Sequence, residues 1–143
     1  MTAIPDSVRQ VIEAGRLATL VTLNPDGSPQ ATMVWVGLEG DEIVSAHLGM
    51  HQKVKNVRRD PRVVLSIATD KVTGGGLTEY LVVYGRARIT EGGAPEVLQR
   101  LAHIYMGPDV KFPPMDNPPT GYITRIAPDR FAGMGPWTAR QAR

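Results

Sequence analysis

At 143 residues, 42% hydrophobic and with a formal net charge of +2, the chain has the length of one folded unit and too little charge for nucleic-acid binding to follow from charge alone. It contains no cysteine, which excludes disulfides, thiolate chemistry and sulfur-ligated metals. No run is apolar for long enough to span a bilayer and the first ten residues lack a basic-then-apolar leader, so the expectation is a soluble, cytoplasmic protein whose small size favours a ligand pocket shared between two copies.

In chain order, "IPDSVRQVIEAGR" predicts a short helix. Ser7 is its candidate cap, with Gln10 as the reciprocal partner; Val8, Val11 and Ile12 form its apolar stripe, and Gly15 ends it. "LATLVTL" reads as a strand, "NPDG" as a tight turn, and "SPQATMVWVGL" as one further strand. In that second strand Ala31, Met33 and Trp35 share one face and Thr32, Val34 and Val36 the other. Both faces are apolar enough to expect cover on each side. "EIVSAHL" is a third strand. "HQKVKNVRR" follows as a helix stopped by Asp60-Pro61. "RVVLSIATD" is the next strand, "KVTGGG" a loop and "LTEYLVVYGRARIT" a long strand. Pro95 starts a helix through "EVLQRLAHIYMG", with Val97, Leu98, Leu101, Ile104 and Tyr105 on one side. "PDVKFPPMDNPPT" is proline-rich and irregular, and "GYITRIA" and "DRFAGMG" close the chain as two strands around a turn. About seven strands in sequence with tight turns predict a mainly β fold, an antiparallel barrel with peripheral helices, as one domain over residues 1–143.

The segment from His51 to Arg62 sets six basic or imidazole side chains against one acid, Asp60. Arg58 and Arg59 fall in the last helical turn, where cations suit the negative end of the helix dipole, so structure alone explains them. Lys53 falls in the first turn, where a cation is disfavoured by roughly 0.3–1 kcal/mol. Two readings stand there: a solvated lysine, or a lysine beside free helix N–H groups waiting for a phosphate or carboxylate, with His51 and Gln52 as further donors. "TGGGLT" reads as a flexible hairpin connection in preference to a phosphate loop, because no Gly-Lys-Ser/Thr follows and the next element is a strand. His103 reads as a surface group, and His47 and His51 have no carboxylates at metal-ligand spacing, so no metal is expected. No nucleophile triad is present. Trp137, in "GMGPW", needs something to bury it, either a partner subunit or a planar cofactor. With no side-chain catalyst in view, an enzyme built on this chain requires a cofactor to carry the reaction.

"LATLVTLNPDGSPQATMVWV", "HQKVKNVRRDPRVVLSI" and "YLVVYGRARI", in that order, resemble the pyridoxamine-phosphate-oxidase-like split-barrel proteins. More narrowly they resemble the actinobacterial flavin/deazaflavin oxidoreductases that use coenzyme F420. The resemblance implies a split β-barrel of the FMN-binding-protein kind, a homodimer, and two cofactor grooves between the subunits. It implies a phosphate clamp at Ala46 through Lys53, including His47, with His51, Gln52 and Lys53 as its principal donors; family members often carry arginine at the position of His51. It implies that Met33, Val34 and Trp35 support the cofactor ring, that Asn56 and Arg59 contact its tail, and that Thr78, Tyr80 and Trp137 reach the site from the partner chain. The function it implies is hydride transfer between F420 and a conjugated small-molecule substrate, with solvent or Tyr80 as the proton source. FMN is the alternative cofactor. A non-catalytic cofactor- or haem-binding protein is the alternative role. No nucleic acid or membrane partner is expected, since no aromatic residue interleaves the basic ones from His51 to Arg62.

Overall fold

A computed structural model describes residues 3–138. Its framework is one seven-stranded antiparallel sheet of spatial order β2-β1-β5-β6-β7-β4-β3. The strands are β1 (Ala18–Leu23), β2 (Pro29–Val34), β3 (Gly37–Glu39), β4 (Glu42–His47), β5 (Arg62–Val72), β6 (Thr78–Glu91) and β7 (Tyr122–Met134). The helices are α1 (Asp6–Ile12), α2 (Gln52–Arg59) and α3 (Ala94–Tyr105).

The strand order itself dictates curvature. The two edge strands, β2 and β3, are joined by Trp35 and Val36 alone. Three peptide steps reach about 10 Å at most, so the ends of the sheet must curl toward each other. They meet without a ladder between them, which makes the barrel a split one. Its interior is filled by alternate residues of the strands: Leu20, Ile43, Leu65, Ile67, Leu81 and Ile126 are 0–1% exposed. Burying each of these contributes about 1.5–3 kcal/mol. Val8 and Ile12 of α1 and Val57 of α2 join the same cluster. A second cluster lies under α3, where Leu98 and Leu101 pack on Val44, Ala46 and Ile123. β4 is therefore covered on both faces, and its residues Ile43 to His47 are all buried.

Several local expectations change. Ser7 does not cap α1: the helix starts at Asp6, Pro5 stands before it in extended conformation, and no side-chain cap bond forms. Proline's restricted φ sets the entry angle, and Asp6 supplies the acid that favours a helix start. The single strand expected over 28–38 is two, broken at Trp35–Val36 where the chain crosses the split. Within the single chain only one of its faces is covered, because Ala31 and Met33 are exposed. The two strands expected after residue 120 are one, bent where the β6 register shifts at Tyr84/Gly85 opposite Pro128–Arg130. The helical stripe of α3 includes Ala94 and Ala102, whereas Ile104 is 46% exposed. Lys71 and Val72 extend β5, and the remaining glycine-rich residues form the β5–β6 turn, closed by Thr73 N–H donating to Leu77 O at 2.7 Å.

Candidate functional site

Because β2 is an edge strand and β3 pairs only with Glu42–Val44 of β4, the backbone edges of Met33–Val34 and Ser45–His47 face the split without strand neighbours. A cleft of about 370 Å³ occupies that gap. Met33, Val34 and Trp35 form one side; Ser45, Ala46, His47 and Leu48 form the other. His51 and Lys53 close it at the start of α2, and Leu17, Leu98 and Phe112 complete it. Gly121 makes the β4 end possible. At φ +65 it passes so close to the His47 carbonyl and the Ala94 methyl that a Cβ there would collide with both.

The cleft has two ends of different chemistry. At the polar end, His51 precedes α2 without a side-chain capping bond, and the first turn carries no acid. The N–H groups of Val54 and Lys55 turn back to His51 O, which leaves those of Gln52 and Lys53 without backbone acceptors among the described residues. Lys53 is half-buried and has no carboxylate partner among the described residues, and burial lowers its ammonium below the ordinary lysine value. Its basic neighbours differ. Arg58 bonds Glu91 at 2.9 Å and lies over the Tyr122 ring, and Arg62 bonds Asp60 at 2.7 Å, which holds that carboxyl down at about 2. No Asp or Glu lines the cleft.

His47 is 6% exposed and its Nε2 lies 3.0 Å from Thr124 Oγ1. Burial first, then the charges of Lys53 and His51, push its imidazole down from 6.5 to about 3, so the ring is neutral near pH 7. The His51 ring stands edge-on to it, 6.4 Å between centroids.

The other end is apolar and aromatic. Trp35 stacks on Tyr105 at 5.3 Å and 17°, with Phe112 tilted against it at 5.2 Å and 59°. The Tyr105 hydroxyl donates to Arg16 O at 2.9 Å and accepts from Val36 N–H at 3.0 Å, so the residue that follows Trp35 across the split is tied to α3.

Of the residues singled out in the sequence, Met33, Val34, Trp35, Ala46, His47, His51 and Lys53 share this cleft. Gln52 and Asn56 do not line it. Asn56 is fully buried, its Nδ2 donating to Thr22 Oγ1 and Asn24 Oδ1, each at 3.0 Å, while its Oδ1 accepts from Gln52 at 2.8 Å. Arg59 donates to Leu23 O and to the side-chain Oδ1 of Asn56. Asn56 and Arg59 thus staple α2 to the β1–β2 hairpin. Thr78 and Tyr80 lie exposed at the start of β6, away from the cleft of their own chain. Trp137 is buried by its own chain, inside the barrel cluster that includes α1, with Nε1 donating to Ala132 O at 2.8 Å. The sequence reading missed Leu17, Ser45 and Leu98 as lining, whereas Leu48 falls within the segment Ala46 through Lys53 and Phe112 within the proline-rich loop of residues 108–119 expected to shape the substrate pocket or clasp the partner. Of those missed, only Ser45 could have been flagged, by its position in the strand leading to the basic helix.

The family model described as pyridoxamine 5'-phosphate oxidase matches residues 4–132. The chain belongs to the pyridoxamine 5'-phosphate oxidase family. An FMN-binding protein of Nitratidesulfovibrio vulgaris (strain DSM 19637 / Miyazaki F) is 30% identical over 103 residues, 68% of this chain and 84% of that one. Among solved structures, a conserved hypothetical protein of Mycobacterium tuberculosis is 26% identical, with a TM-score of 0.68 over 93% of this chain and 85% of its own. An F420 reductase shares the fold with a TM-score of 0.72 at 24% identity, covering 90% of this chain and 98% of that one. The barrel split is therefore the pyridoxamine-phosphate-oxidase-like architecture at which the sequence resemblance pointed.

Proposed function

We propose that the chain is an oxidoreductase that holds a phosphate-bearing flavin-type cofactor in the barrel split and reduces a conjugated organic substrate there. The observation that carries this reading is Lys53: a half-buried ammonium without a carboxylate partner, beside free helix N–H groups, in a cleft with no acid. The Lys53 ammonium and the free N–H groups at the start of α2 meet no carboxylate in the cleft, which fits a phosphate or carboxylate better than a cation. Lys53, His51 and the N–H groups of Gln52 and Lys53 would hold the anionic handle. The unladdered backbone of Met33–Val34 would meet the polar edge of the ring, and Trp35, Leu98 and Phe112 would exclude water. The cofactor, when bound, supplies the hydride; the chain supplies position and a dry, cationic surround.

Coenzyme F420 is the first reading, on the strength of "HQKVKNVRRDPRV", and Lys55, exposed outside the cleft, is basic surface for an anionic tail. FMN is the second, favoured by the 30% identical FMN-binding relative.

The same reading includes a homodimer. The outward faces of β2, β1, β5, β6 and β7 carry Met33, Val21, Val64, Val82 and Ala132, with Tyr80 and Tyr84 at 42% and 39% exposure. Met33, 55% exposed, belongs both to this face and to the cleft, so a second copy on the sheet would complete the groove and bring its Thr78 and Tyr80 near it. Titration of the purified chain with F420 and with FMN, side by side at one stated salt concentration, tests the assignment. Tight binding of one is expected, and binding of neither ends it.

A further inference from the structure

The aromatic end of the cleft is held in a way that the cationic end does not explain. Phe112 comes from the proline-rich connection after α3, a segment with no ladder of its own. Its ring packs on the cluster under α3, and its backbone is tied by a side chain of that helix. Gln99 of α3 donates from Nε2 to Val110 O at 2.8 Å and accepts at Oε1 from Phe112 N–H at 3.1 Å. The amide thus pairs with the chain on both sides of Lys111, as a neighbouring strand would. Gln99 Nε2 also lies 3.0 Å from His103 Nε2, which fixes the orientation of the amide along the helix. Behind Phe112, Pro113 is buried. In front of it, Trp35 cannot retreat, because Tyr105 is stacked on it and the Tyr105 hydroxyl is tied at Val36 and Arg16. The distance between the fixed Trp35 and Phe112 therefore depends on Gln99.

We propose that Gln99 is the positioning residue that sets the width of this cleft, holding Phe112 as the wall that selects a flat, apolar, uncharged substrate. The proposal rests on the reading of the cleft as a reductase site, and it adds the substrate class. The cationic end is matched to the cofactor's anion, so what remains for a substrate is the surface of Leu17, Trp35, Leu98 and Phe112, which carries no charge. Two aromatic rings tilted at 59° in such a wall accept a thin conjugated system and reject a bulky or charged one.

The test uses the full chain. Without cofactor, trypsin cleavage after the exposed Lys111 reports how often the segment leaves its seat. Loss of two hydrogen bonds in Gln99→Ala is expected to raise the rate about tenfold. Trp35 emission, obtained by subtracting the spectrum of Trp35→Phe, is expected to shift to the red in the same variant. With the reduced flavin-type cofactor supplied in excess as the two-electron donor and menadione as the flat probe, Gln99→Ala and Phe112→Ala should each raise KM about fivefold or more with kcat within about twofold. The double variant should add nothing to either single one. Gln99→Glu, which keeps the acceptor for Phe112 N–H and loses the donor to Val110, serves if the alanine variant does not fold. An unchanged tryptic rate at Lys111, or additive effects in the double variant, would overturn the proposal. The cofactor-free measurements separate the two readings: failure to bind any flavin-type cofactor, with the clamp intact, removes the reductase assignment alone.

Discussion

A lysine in the first turn of a helix opposes the helix dipole, and burying half of it removes hydration as well, so Lys53 sits where folding alone does not want a cation. An anionic ligand reverses both terms. Lys53→Ala is expected to weaken cofactor binding by about 1–3 kcal/mol, the worth of a charge-assisted hydrogen bond, and to flatten its salt dependence; fluorescence titration at two salt concentrations measures both. His47 gives the second expectation at this scale. Its folded value, about 3, is below its unfolded value of 6.5, so the unfolded chain takes up the proton first. Its contribution is fully present above pH 6.5 and is lost as pH falls through that window toward 3. His47→Gln, which retains an amide for Thr124, should therefore lose less stability than the parent between pH 7 and pH 4.5, as read by thermal melts at each pH. Parallel slopes for the two proteins would contradict the assignment.

Helix α2 shows why its position is reproducible enough to hold a site. Asn56 has no exposed surface and joins Thr22, Asn24 and Gln52 in one network. Asn56→Ala leaves those partners buried or misaligned and is expected to cost about 2–3 kcal/mol in urea denaturation, and to weaken cofactor binding although Asn56 touches no part of the cleft. The helix itself was legible in the sequence from its basic stripe and the Asp60-Pro61 stop, whereas the role of Asn56 was not. A polar residue in a helix reads as solvent-facing until the hairpin folded against it is known. The strand break at Trp35–Val36 was hidden for a similar reason: "SPQATMVWVGL" has uninterrupted strand chemistry, and only the need to cross the split divides it.

At the scale of the whole molecule, the open sheet face and the cleft meet at Met33, so assembly and binding are expected to be coupled. Val82→Asp, placed on the outward face of β6 between Tyr80 and Tyr84, should convert a dimer of the 15.5 kDa chain to monomer in analytical ultracentrifugation and weaken cofactor binding with it. A monomeric parent, or a variant that still dimerises, would remove the shared groove. No helix among the described residues is long and apolar enough to cross a membrane.

The amino-acid sequence alone determined most elements of the barrel, though not the break at Trp35–Val36 or the continuity of β7, because alternating β-branched strands, tight turns and helix stops are local chemistry. It also singled out Lys53, because the cost of a cation at a helix start is local too. Tertiary structure decided which residues meet in the cleft. Edge strands joined by two residues must curl until β2 faces β4, and only that closure brings Phe112, held by Gln99, against Trp35. Contacts between residues so far apart in the chain follow from the path of the backbone, which no local pattern encodes.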